Sequence, residues 1–273
     1  MKLGIGSYTY TWAVGVPGYE APARPLDAAG LVRLAADLGV AVVQICDNLP
    51  LDGLSTAELA ELANLARELG ITLELGTRSS TPGNLRRHIA IAQALGCTLL
   101  RTLLLEDGRE IGISRGYDLL AQVLPDLRSA GVTLAIENHD GHRVAELAEL
   151  IARLDTPDVG ICLDTVNSFG ALEAPDTVID TLAPLTVNLH VKDFVIERLD
   201  HKMGFQIRGC PAGQGRLEVP ALLHRLRSLG RDPNVILELW TPWQGALAHT
   251  MALENVWAQE SLTFLKQAVL EVP

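Results

Sequence analysis

The sequence predicts a single (β/α)8 barrel domain spanning residues 1–273, and three observations lead there. Eight short apolar runs alternate with helical segments at a repeat of roughly 25–30 residues, the arithmetic of that barrel. Several runs are almost continuous in Val, Ile and Leu, as strands buried on both faces require. A glycine closes most of the helical segments just before the next run. The competing doubly wound sheet would carry a Gly-rich phosphate turn after its first strand. Here Gly4 and Gly6 lie inside that strand, and the third Gly of GxGxxG is missing.

In chain order the predicted strands are Leu3–Ser7, Val40–Cys46, Ile71–Gly76, Thr98–Leu104, Val132–Glu137, Val159–Leu163, Thr186–Val191 and Val235–Leu239. The amphipathic segments between them are Ala28–Leu38, Thr56–Leu69, Pro82–Leu95, Gly116–Ala130, Val144–Leu154, Pro175–Leu182 and Val219–Leu229, and a longer one, Leu253–Leu270, closes the chain. Gly39, Gly70, Gly96 and Gly131 sit where a left-handed residue stops a helix and starts a strand, with Gly230 a fifth candidate.

Of the 273 residues, 48% are apolar, enough for a full core. Lys and Arg number 22 against 33 Asp and Glu, a net charge of −11, which disfavours nucleic acid as a partner. Met1–Trp12 lacks the apolar core of a signal peptide, and no run approaches a membrane span. The four cysteines are widely separated, with no CxxC. Together these point to a cytoplasmic protein with free thiols, no disulfides and no membrane partner. Assembly into a homo-oligomer is left open.

The chemistry lies where such barrels place it, at the C-terminal strand ends. The fifth strand ends in Ala-Ile-Glu137, the sixth in Cys-Leu-Asp164, the seventh contains Leu-His190-Val, and the eighth ends in Ile-Leu-Glu238. The spacings are 27, 26 and 48 residues, the last enlarged by an inserted loop, roughly Phe194–Arg216. Three carboxylates converging on a barrel lumen repel one another unless neutralised, and a divalent cation is the simplest remedy. Three oxygen donors and one imidazole suit Mn²⁺ first, with Mg²⁺ or Co²⁺ as alternatives. Four protein ligands on a six-coordinate ion leave two positions, which adjacent oxygens of a hydroxy-ketone fill.

Glu137-Asn-His, Leu163-Asp164-Thr-Val-Asn, His190-Val-Lys192-Asp193, Gly213-Gln-Gly215 and Leu237-Glu238-Leu-Trp carry a resemblance. The chain resembles the xylose-isomerase-like TIM barrels, in particular the sugar-phosphate isomerase/epimerase group of ketose 3-epimerases, hydroxypyruvate isomerases and inosose dehydratases. The resemblance implies one divalent metal on Glu137, Asp164, His190 and Glu238. It also implies an isomerase or epimerase of a small keto-sugar that works through a metal-bound enediolate, with Glu137 and Glu238 as the acid/base pair. The same site supports a lyase or dehydratase on a keto-sugar or inosose. A nuclease is disfavoured because Asn167 stands where the ketose 3-epimerases and the endonuclease branch have His, and a non-catalytic sugar-binding barrel is disfavoured by the complete ligand set.

Around this core the sequence offers His139 as a proton shuttle and Lys192 as a cation stabilising an enediolate oxygen. Arg101, an unpaired cation in an apolar strand, needs either substrate or a carboxylate such as Glu74. Asn167, Trp12 and Trp240 are candidate substrate contacts. The alternating segment Lys202–Gly215 is expected to form a flap hinged at Gly204, Gly209, Gly213 and Gly215, with Arg208 reaching a substrate oxygen.

Overall fold

A computed structural model describes residues 1–271. Eight parallel strands close into a barrel: β1 Leu3–Gly6, β2 Val42–Ile45, β3 Thr72–Gly76, β4 Leu99–Thr102, β5 Thr133–Glu137, β6 Val159–Asp164, β7 Thr186–Val191 and β8 Asn234–Leu237. Each neighbours the next, and β8 pairs with β1 to complete the ring. This is the architecture that the strand–helix alternation predicts.

Gly39, Gly70, Gly96, Gly131 and Gly230 all adopt positive φ, between +63° and +72°. The helix-stop reading therefore holds at all five, because a side chain there would meet the left-handed penalty. The predicted helix Gly116–Ala130 is instead two, Ile113–Ala121 and Leu124–Ala130. Pro125 is the reason: its ring cannot donate to the preceding turn, so it opens a new helix. The last helix starts earlier than expected and covers Leu247–Glu271. The four cysteines are buried and unbonded. Among the described residues no helix is long and apolar enough to cross a membrane.

The main apolar core lies between barrel and helices, with Leu31, Leu85, Leu120, Leu134, Leu147 and Leu150 fully enclosed. The barrel itself holds much polar material. Gln44, Glu74, Arg101, Glu137, Asp164, Asn188, His190 and Glu238 are all buried. Each must find its partner inside the barrel, since water does not reach it.

Two hairpins rise from the C-terminal face. Leu105–Glu106 pairs with Arg109–Glu110 after β4, and Asp193–Arg198 pairs with Phe205–Cys210 after β7. The second matches the predicted alternating segment, but its glycines are not free hinges. A Cβ on Gly209 would lie 2.4 Å from that of Trp240, and one on Gly213 would lie 2.6 Å from the Phe264 ring. Asp193 accepts the backbone N–H groups of Gly213, Gly215 and Leu217 at 2.9–3.0 Å and pins the loop that follows.

Close approach also dictates Gly4. A Cβ there would stand 2.6 Å from both Cβ and O of Val42 across the β1–β2 seam. Gly4→Ala must push two barrel strands apart, which costs about 1–3 kcal/mol. Thermal unfolding should show Tm lowered by several degrees, at about 2–4 °C per kcal/mol for a chain of this size class. An unchanged Tm would contradict the tight seam.

Candidate metal centre

The strand ends bring Glu137, Asp164, His190 and Glu238 together. Glu137 and Asp164 are the last residues of β5 and β6, His190 sits directly across from Asp164 in the β6–β7 register, and Glu238 follows β8. None is more than 2% exposed. Around His190 Nδ1 lie Glu238 Oε1 at 3.3 Å, Glu137 Oε1 at 3.7 Å and Asp164 Oδ2 at 3.8 Å. His190 Nδ1 and Glu238 Oε1 carry no hydrogen bond, and Asp164 Oδ2 has only its ion pair with Lys192. Asp164, His190 and Glu238 each bring one ligand atom to within 4.8 Å of the other two.

Such a set fits a cation. Buried polar atoms without partners are costly, and these aim at one point. Charge says the same. Glu137, Asp164, Glu238 and the nearby Asp47 outnumber the cations buried beside them, Arg101 and Lys192, so the site favours a further positive charge. Cys162 also stands within reach of Glu137 and His190, but burial pushes its thiol up, so it stays protonated and is a poor ligand beside three carboxylates.

Lys192 Nζ lies 2.8 Å from Asp164 and 2.7 Å from Glu238. Burial alone would lower its affinity for the proton; the two carboxylates more than offset this and keep it charged. Burial likewise works to raise all three carboxyl groups. For Glu137 the Arg101 guanidinium and His190 outweigh burial and hold it well below the usual range. His190 and Lys192 hold Glu238 down as well, whereas Asp164 stays raised despite Lys192.

Arg101 does not pair with Glu74, the partner considered from sequence. Its Nε donates to Glu137 Oε2 and its Nη1 to Asp47 Oδ1 at 3.2 Å. The register explains the change: Arg101 pairs with Gly76 of β3, near the C-terminal end of the barrel, whereas Glu74 lies one inward-facing step lower beside Gln44. Asn167 bridges the centre, donating to Glu137 Oε1 at 2.6 Å and accepting from Lys192 at 3.3 Å.

His139 stands outside the ligand group, 3.3 Å from Asp140, and lines a cavity beside Glu137. Trp12 is buried against Trp243 and Tyr19, with its indole N–H on Thr241 O at 2.8 Å. Trp240 is half-buried under the hairpin at Gly209. Arg208 departs from the expected reach to substrate: it forks onto Glu197 of the facing hairpin strand at 2.7 and 2.8 Å.

Sequence reasoning passed over Gln44, Asn188, Asp47 and Arg78. A Gln inside Val-Val-Gln-Ile was a usable signal, because a buried strand does not carry an amide without a partner. Asn188, two residues before His190, shares its face and was also readable. Arg78 was not, since it follows β3 in a loop without pattern. It lines the cavity of about 270 Å³ that also touches Glu137, His139 and His142.

The profile of the xylose isomerase-like TIM barrel family matches residues 32–268. The 3-oxo-isoapionate decarboxylase of Pectobacterium atrosepticum is 35% identical over 267 residues, covering 97% of this chain and 95% of its own. D-psicose 3-epimerase from Clostridium cellulolyticum H10, crystallised with D-tagatose, superposes with a TM-score of 0.74 at 18% identity, covering 98% of this chain and 99% of its own. A xylose isomerase-like TIM barrel protein from Mycobacterium smegmatis, solved with magnesium, gives 0.70 at 15% identity over 98% and 97%.

Elemental analysis after loading with Mn²⁺ should find one ion per chain, and an Asp164→Ala/His190→Ala variant should hold none. Full occupancy in that variant would move the metal elsewhere.

Proposed function

We propose a function for this chain on the premise that it belongs to the xylose isomerase-like TIM barrel family. It is a metal-dependent lyase that removes CO₂ from a small 3-keto sugar acid. Of the two reaction classes that the sequence left in play, this is the lyase, with CO₂ rather than water as the leaving group.

One observation carries the reading: both oxygens of Glu137 are taken, one by Arg101 Nε and the other by Asn167 Nδ2 at 2.6 Å. An epimerase with two glutamate bases needs each of them to accept and return a proton. The Arg101 guanidinium lowers the affinity of Glu137 for a proton, which weakens it as a base. Decarboxylation needs no base at all. The end-to-end relative named as a decarboxylase supports the same choice.

A divalent cation on Glu137, Asp164, His190 and Glu238 would supply Lewis acidity to a keto oxygen and its neighbouring hydroxyl. The protein's own groups do the rest. Lys192 holds a fixed positive charge where negative charge develops, and burial strengthens it. The bond between the carboxylate and the adjacent carbon breaks, its electron pair passes toward the keto oxygen, and CO₂ leaves. A proton from water then takes the vacated position on carbon. An anionic substrate set beside these carboxylates calls for a further cation. Arg78 supplies it: half-exposed on the cavity wall, it sits 3.9 Å from Asp47, too loose a pair to hold it.

The test is a 3-keto sugar acid labelled with ¹³C at its carboxylate. Release of ¹³CO₂ should match loss of the acid, stop with a chelator and return with Mn²⁺. Arg78→Ala should raise KM for the acid by at least about tenfold, the size of one charge-assisted contact. If no ¹³CO₂ forms, and a neutral ketose exchanges C–H for deuterium instead, the isomerase or epimerase class replaces this one.

A further inference from the structure

Below the centre runs a polar chain that the proposed reaction does not use. Glu74 is 3% exposed, and among the described residues it forms no ion pair. Its oxygens accept from three amides: Gln44 Nε2 at 3.0 Å, Asn188 Nδ2 at 2.9 Å and Asn234 Nδ2 at 2.6 Å. An ionised carboxylate only accepts, so it turns the NH₂ of each neighbouring amide toward itself.

For Gln44 this decides the other end. Its NH₂ is committed to Glu74 Oε2 and, at 2.9 Å, to Asn188 Oδ1. Its Oε1 therefore faces His190 Nε2, at 2.7 Å. An amide oxygen accepts, which keeps a hydrogen on Nε2 and makes Nδ1 the nitrogen available to a metal. Nδ1 faces the oxygens of Glu238, Glu137 and Asp164. Turning the amide of Gln44 over would set its oxygen against Glu74 and its NH₂ against His190, with two acceptors opposed in a buried site.

We propose that Glu74 and Gln44 form a tautomer lock, in which an acceptor-only carboxylate lower in the barrel fixes, through one amide, which nitrogen His190 offers to a metal. The inference rests on the metal reading above and adds two positioning residues to it. Groups behind a ligating His commonly hold its tautomer and ring orientation. Here the control passes through two side chains, and its source is a carboxylate that never touches the metal.

The experiment measures Mn²⁺ affinity by calorimetry, and the protonated ring nitrogen of His190 by ¹⁵N NMR of the Mg²⁺-loaded protein. Gln44→Leu should weaken Mn²⁺ binding about 10- to 100-fold and lose the single Nε2–H signal. Gln44→Glu alone sets two carboxylates against each other and should be as poor. The exchange Gln44→Glu/Glu74→Gln restores an acceptor for His190 and a donor between the pair, so it should recover most of the affinity. A merely structural role gives no reason for that rescue. Wild-type affinity in Gln44→Leu with Nε2–H intact overturns the lock. If Gln44→Leu does not fold, an exchange variant that binds Mn²⁺ no better than Gln44→Glu overturns it equally. Failure of the wild-type protein to bind Mn²⁺ overturns the metal reading instead.

Discussion

Three carboxylates meet inside this barrel almost shut off from water, and much of the remaining polar architecture answers that fact. Ionised carboxylates at such burial repel one another and have lost their hydration. The chain answers with two buried cations, Arg101 on β4 and Lys192 after β7. It leaves one region, around His190 Nδ1, where the remaining charge has no protein partner. A barrel is well suited to this, since each strand end contributes one donor and the ring fixes their mutual distance.

The cations also divide the work of the carboxylates. Arg101 and Asn167 occupy Glu137 from two sides, which fixes its position and, in the function proposed here, favours a ligand over a base. Lys192 spans Asp164 and Glu238 and keeps its charge next to the same region. In a lumen of low polarity these interactions are strong in both directions. In the proposed reaction they favour the development of negative charge over proton shuttling by a free carboxylate.

The barrel was legible because its signals are local and repeated. Each C′ glycine and each Val/Ile-rich run reports on its own neighbourhood, and five glycines agree. The convergence of Glu137, Asp164, His190 and Glu238 was legible for the same reason: a charged residue at the end of an apolar strand needs an explanation within that strand. Partner choice was not legible. Whether Arg101 meets Glu74 or Glu137 depends on the stagger between β3, β4 and β5, which strand patterns do not encode. The hairpin glycines failed similarly. Gly209 and Gly213 look like hinges in sequence, but Trp240 and Phe264 from distant segments occupy the space beside them. Gln44 was readable but undervalued, because an amide in a strand signals a partner without naming it.

The unpartnered atoms around His190 Nδ1 call for a divalent cation. The direct measurement is anomalous scattering at the manganese edge from crystals grown with Mn²⁺. One strong peak is expected, enclosed by Glu137, Asp164, His190 and Glu238 and bonded to Nδ1 rather than Nε2 of the histidine. A protein crystallised with saturating Mn²⁺ but showing no peak there, with Lys192 alone bridging Asp164 and Glu238, would contradict it.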